Sequence, residues 1–228
     1  MAEGRKQSEQ RLSILVPGVG SSYRNGWRQL WKYFLELFLI GIIGFVIGIP
    51  GGMGGWSKGT GAIFLGILGA VYSILLVSPV NYGVSFSYLK AARGDRLEIK
   101  NMFEAFQNYW NAVLASLLVT VIVIIGFILL IVPGIIFACK LAFTPYLVVD
   151  RKMEVIEAVK GSWNMTNGHA GKVFLIGLLG VPICIAGLIC CGIGIILSIM
   201  WISMAFASLY YAVSLSSEAS AQEGVPVT

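Results

Sequence analysis

The chain has 228 residues, 57% hydrophobic and 12% charged, with a net charge of +5 and a mean hydropathy of +0.83. Soluble globular domains carry roughly 25% charged residues, so the composition excludes an ordinary water-soluble domain. The basic balance is compatible with nucleic acid, but in so apolar a chain the placement of the charges decides their meaning.

Residues 1–20 are mostly polar and read as a disordered cytoplasmic segment. They lack the short basic start and small-residue cleavage site of a signal peptide, so the first apolar segment is read as a retained helix. Tyr23, Trp27, Leu30, Trp31 and Phe34 then recur at helical spacing and open the first apolar stretch, Phe34–Ile49. A glycine-rich loop, Pro50–Gly61, leads to Ala62–Phe86. A second stripe, Ile99, Met102, Phe103, Phe106 and Trp110, precedes Ala112–Val149. A third, Val155, Ile156, Val159 and Trp163, precedes Val173–Leu215. Aromatic-rich stripes of this period, with charges opposite, predict amphipathic helices in the headgroup layer.

Ala112–Val149 would extend about 57 Å as one helix, against a hydrocarbon core of about 30 Å. It must fold back, and Pro133-Gly134 is the strong helix breaker within it, the predicted hairpin tip. Val173–Leu215 divides likewise at the glycines of Cys190–Gly194. Six spans result, at about 31–50, 61–87, 111–132, 134–149, 172–190 and 193–214. The predicted fold is all-α, a polytopic membrane protein of six transmembrane helices in three hairpins with cytoplasmic amphipathic interfacial helices. The membrane domain covers 21–215, and 216–228 forms a disordered cytoplasmic tail. From Trp27, Phe103 and Trp163 the apolar span begins about ten residues later each time, and each hairpin closes on a tyrosine, in "SYL" 87–89, "PYL" 145–147 and "LYY" 209–211. This spacing suggests a threefold internal repeat, although interfacial aromatics at both ends of any hairpin would produce a similar pattern.

Arg5, Lys6, Arg11, Arg24, Arg28 and Lys32, then Lys90, Arg93, Arg96 and Lys100, then Arg151, Lys152, Lys160 and Lys172 fall on one face, with Lys58 on the other. The positive-inside rule makes the face with fourteen cytoplasmic, with both termini there, in the cell (inner) membrane. The positive charge is then explained by topology and anionic lipid, and no nucleic-acid partner is expected.

Lys140 is the lone charge of Ala112–Val149 and falls near mid-membrane, where an unpaired charge costs at least ~2.5–3.5 kcal/mol. Its candidate partners are Glu36, the hydroxyls of Thr144, Tyr72 and Ser73, and a carbonyl freed by Pro145. Glu36, one turn inside the first span, also sits four residues from Lys32, a local interfacial pair. Trp27, Trp31, Phe103, Phe106, Trp110 and Trp163 are the expected interfacial anchors. Gly44 and Gly48 form a G-x-x-x-G, read as intramolecular packing or a dimer face. Cys139, Cys184, Cys190 and Cys191 form no C-x-x-C and read as buried small hydrophobes. His169 reads as a solvated turn residue. The motifs of nucleophilic, phosphate-binding and zinc-dependent catalysis are missing, so no catalytic, cofactor or metal residue is assigned.

Asp150, Glu157-Ala158, Ser162 and Thr166-Asn167-Gly168, within "FTPYLVVDRKMEVIEAVKGSWNMTNGHAGKVF", carry a resemblance. The stretch resembles a prokaryotic six-helix membrane-protein family related to the membrane domain attached to some glycerophosphoryl diester phosphodiesterases. "RGDRLEIKNMFEAF", Arg93–Phe106, resembles the corresponding earlier loop. The chain has no room for the phosphodiesterase catalytic domain, so that activity is not implied. The expected function is a non-enzymatic membrane protein that organises lipids or partner proteins, with homo-oligomerisation open. The alternative is a small transporter or channel with a polar path near Lys140 and Glu36.

Overall fold

Apolar runs of this length leave helix as the one open-chain structure that satisfies its own backbone in lipid. The computed structural model describes residues 17–52, 60–189 and 193–223, and among these the fold is all-helical. In chain order the helices are α1 Val19–Lys32, α2 Phe34–Gly52, α3 Thr60–Tyr72, α4 Ser78–Arg93, a 3-10 helix Ile99–Asn108, α5 Tyr109–Leu129, α6 Ile131–Lys140, α7 Thr144–Asp150, α8 Val155–Met165, α9 Ala170–Ile189 and α10 Ile193–Glu223. A π-helical turn, Ser73–Val77, joins α3 to α4. Five continuous stretches are long and apolar enough to cross a membrane: Ile63–Arg93, Ile99–Leu129, Ile131–Asp150, Ala170–Ile189 and Gly194–Glu218. Counted as one span, the pair α1 and α2, broken at Tyr33, brings the number to six.

Several boundaries differ from the sequence reading. Pro133-Gly134 is not the tip of the second hairpin. Leu130 alone, in extended backbone, reverses the chain, and Pro133 lies in the first turn of α6. There its missing N–H is harmless, because the first helical N–H groups have no partner in their own helix. Gly134 instead serves a close crossing: a Cβ on it would fall 2.7 Å from the Phe127 ring, and one on Gly126 would fall 2.9 Å from Gly134 Cα. Gly187 and Gly194 cross as closely where α9 meets α10. The fourth span is not one helix but α6 and α7, interrupted at 141–143. The second amphipathic segment is 3-10 rather than α, and its threefold repeat sets Met102 and Ala105 inward while Phe103, Phe106 and Tyr109 stack along the other side. The helix expected to end near Leu215 continues to Glu223. Residues 1–16, the loop around Lys58, Cys190–Gly192 and 224–228 lie outside the described residues.

The described chain forms two compact units rather than one domain. In the first, residues 17–34, 88–96 and 165–223, α1 packs along α10. Gly26 lets the backbones approach: a Cβ there would lie 3.3 Å from Ala205 N. Asn25 is buried and donates to the Ala92 carbonyl at 3.3 Å and to Ser208 Oγ at 3.0 Å. α4 ends on Gly94 at φ 81°, with Gly94 N–H on the Ala91 carbonyl and Asp95 N–H on the Lys90 carbonyl, the paired bonds of a left-handed glycine cap.

In the second unit, residues 35–87 and 97–164, the 3-10 helix lies directly on α4. A Cβ on Gly83 would overlap the Met102 carbonyl. Gly44 faces Val84 Cγ2 at 3.4 Å from an added Cβ, which gives half of the G-x-x-x-G an intramolecular role, while Gly48 meets open space.

The three amphipathic segments pack by one rule. Each lies against a hairpin it does not introduce: the 3-10 helix on the first, α8 on the second and α1 on the third. The residues just before Trp27, Phe103 and Trp163 make these contacts, Gly26 against Ala205, Met102 against Gly83, and Ser162 against Lys140 and Phe143. Ala205 and Gly83 both lie five residues before a buried tyrosine, Tyr210 and Tyr88, and the corresponding place before Tyr146 is Leu141, between the two residues that Ser162 holds.

Gly83→Ala should therefore destabilise the protein by about 3 kcal/mol or more, since backbone rather than a flexible side chain must yield. Gly48→Ala should be neutral or slightly stabilising, because alanine is the better helix former. Thermal unfolding of both variants in detergent checks the contrast, and equal melting temperatures would refute the close approach.

Candidate functional site

Lys140 ends α6 at a break that the sequence explains locally. Pro145 is the second residue of α7 and has no N–H to offer the Leu141 carbonyl. That carbonyl accepts from Thr144 N–H at 3.1 Å, which leaves the Lys140 carbonyl without its helical donor. Ser162 of α8 repairs both edges of the gap. Its hydroxyl donates to the Lys140 carbonyl at 2.8 Å and accepts from Phe143 N–H at 3.2 Å. Gly161 keeps this close, with an added Cβ 3.2 Å from Leu147 Cδ1.

The neighbouring Trp163 takes the charge. The Lys140 ammonium lies 5.1 Å from its ring centroid, and Phe137 packs on the same indole at 5.9 Å. A cation over an aromatic face is worth ~0.5–1 kcal/mol when exposed and ~2 or more when desolvated, and Lys140 is half-buried. Two adjacent side chains of α8 thus hold the backbone and the side chain of Lys140. Of the partners considered from sequence, Tyr72 is engaged elsewhere. Glu36 sits in the first turn of α2, where a carboxylate complements the helix dipole. Tyr72 hydroxyl donates to the Ile47 carbonyl at 2.9 Å, and the Thr144 hydroxyl is fully buried without a hydrogen-bond partner.

The expected anchors form aromatic ladders. Trp201, Trp27, Trp31 and Phe34 contact in series at 4.9, 5.7 and 5.8 Å. Phe103, Phe106, Tyr109 and Trp110 do so at 6.0, 5.9 and 5.5 Å. Trp27, Trp31, Phe103, Trp110 and Trp163 are exposed, and Phe106 is half-buried. His169 is in the turn before α9, its Nδ1 3.3 Å from the Asn167 carbonyl. Among the described residues no three His, Cys, Asp or Glu side chains lie close enough to share a metal.

The sequence reading missed a set of aromatic donors to backbone carbonyls. Pro79 cannot donate to the Leu75 carbonyl, and Tyr109 hydroxyl supplies that bond at 2.8 Å. Tyr23 hydroxyl donates to the Ile176 carbonyl at 2.8 Å, while its own carbonyl accepts from Trp201 Nε1–H at 3.0 Å. The available signal was a proline inside an apolar helix, which announces an orphaned carbonyl but not the residue that will cap it.

No family model matches the chain, so none connects it with the phosphodiesterase membrane domain. It is similar to uncharacterized protein Rv2560 of Mycobacterium tuberculosis (strain H37Rv), 26% identical over 132 residues, 58% of this chain and 40% of that protein. Uncharacterized protein Mb2590 of Mycobacterium bovis matches with the same identity and coverage. The chain thus spans about 40% of the length of the curated relatives it matches. No solved structure matches it.

Ser162→Ala should cost about 1–3 kcal/mol, because it strands a buried carbonyl and a buried N–H together. Tyr109→Phe should cost about 1 kcal/mol by stranding the Leu75 carbonyl alone. Denaturation of the two variants in detergent measures both, and a Ser162→Ala variant as stable as the parent would show that the break needs no repair.

Proposed function

We propose that the chain is a non-enzymatic, six-helix protein of the cytoplasmic membrane, with both termini on the cytoplasmic side, that organises lipids or partner proteins through its amphipathic helices. What carries the reading is the conjunction of exposed apolar flanks with one-sided charge. Ile63, Ile128 and Ile189 are 69%, 78% and 78% exposed, on helices long enough to span a bilayer. Continuous apolar surface of that kind is an aggregation liability in water and a match for lipid tails. Fourteen basic residues against one favour a single cytoplasmic face. On α1 the exposed side combines Arg24, Arg28 and Lys32 with Trp27 and Trp31, the pairing that anionic headgroups and their interface favour. The break at Lys140 is sealed by Ser162 and Trp163, which supports a structural role for that lysine over a transport path.

Cysteine accessibility tests the topology. In a background without the four native cysteines, Leu130→Cys should react with a membrane-impermeant maleimide on intact cells. Asp95→Cys and Glu218→Cys should react only after permeabilisation. Labelling of Asp95→Cys and Glu218→Cys from opposite sides would end the six-span arrangement.

A further inference from the structure

We infer that α1 and the α9–α10 hairpin form a binding site for an anionic phospholipid, one acyl chain lying in the cleft beside Trp27 and the phosphate held by the arginines of α1. The inference rests on the membrane reading above and adds to it a place and a ligand class.

The cleft has a volume of about 290 Å³ and is lined by Trp27, Ile183, Gly187, Gly194, Leu197 and Trp201, with Ala186 and Ser198 completing the wall. The close crossing of α9 and α10 at Gly187 and Gly194 forms one wall, and the indoles of Trp27 and Trp201, 4.9 Å apart, stand beside it. Its surface is hydrocarbon in character. The Ser198 hydroxyl is turned into the hairpin, donating to the Ile183 carbonyl at 3.0 Å and the Gly194 carbonyl at 2.9 Å. A polar ligand would find nothing to bond there, whereas a flexible alkyl chain fits a narrow apolar groove.

The headgroup is chosen by charge. Trp27, which lines the cleft, lies between Arg24 and Arg28 in the chain, and Lys32 continues the same exposed stripe at i+8 from Arg24. α1 contains no Asp or Glu to neutralise them. Arg28 is steadied by its bond to Asn25 Oδ1 at 3.4 Å. Guanidinium groups bind phosphate through paired N–H donors. Any phospholipid offers that phosphate, but the ammonium of a zwitterionic headgroup would be repelled by Arg24 and Arg28. The anionic headgroup meets none of that repulsion.

The full chain, reconstituted in phosphatidylcholine vesicles, can be probed with a few mole per cent of lipid brominated on its acyl chain, since bromine quenches tryptophan on contact. Brominated phosphatidylglycerol should quench more than brominated phosphatidylcholine at equal mole fraction. Arg24→Gln with Arg28→Gln should lower that preference on the order of tenfold. Ala186→Phe, which places a ring in the cleft from an exposed position, should abolish the excess. If circular dichroism shows that Ala186→Phe has lost helix, the arginine pair, on the solvent side of α1, still decides. Equal quenching by the two lipids in the parent protein, or an excess that survives the arginine changes, overturns the site. No quenching by either lipid would overturn the membrane reading itself.

Discussion

A backbone carbonyl that loses its helical donor inside an apolar helix must find another, and most of the distinctive features of this fold follow from that requirement. An orphaned buried carbonyl costs about 1–3 kcal/mol. Pro79 withholds its N–H from Leu75, and Tyr109 donates across to it. Pro145 disturbs the α6–α7 junction, and Ser162 joins the loose ends. Tyr23 and Trp201 tie α1 to the α9–α10 hairpin through carbonyls of regular helix, a second kind of fastening. At Pro79 and Pro145 the helix is therefore fastened to a neighbour at the point of irregularity.

The fasteners sit on the amphipathic segments or at their ends, which explains why those segments are more than surface anchors. One side of α1 carries Tyr23, Asn25 and Gly26 into the hairpin and the other presents arginine and tryptophan outward. α8 divides likewise, with Ser162 turned in and Trp163 turned toward Lys140. Each such helix fixes the interior on one side and presents a surface on the other. The apolar cleft beside Trp27 follows from this division of labour, since the tryptophan belongs to both sides at once.

Glycine does the complementary work. Where a helix must press its backbone on another, at Gly83, Gly126, Gly134, Gly187 and Gly194, an added methyl would meet main chain or an aromatic ring held in place. Small residues at such crossings let backbones gain van der Waals contact at short range. The same reasoning explains why Gly48 stands apart. It occupies a motif position but meets nothing within 4 Å.

Hydropathy and period alone determined the all-helical class, the number of long apolar segments and the identity of the aromatic stripes, because those depend on each residue's own side chain and its near neighbours. They placed Trp27, Trp31, Phe103, Trp110 and Trp163 on exposed faces for the same reason. Pro133-Gly134 was legible as a special site, but its role was not, since the position of a turn depends on where two helices can cross. Sequence spacing likewise identified Lys140 as a charge in need of company without naming Trp163, twenty-three positions away. Which hairpin each amphipathic segment covers, which hydroxyl reaches which carbonyl, and whether a run of i, i+3 aromatics winds as 3-10 or α were decided by tertiary structure. These are contacts between distant parts of the chain, and their energy appears only once both partners are in place.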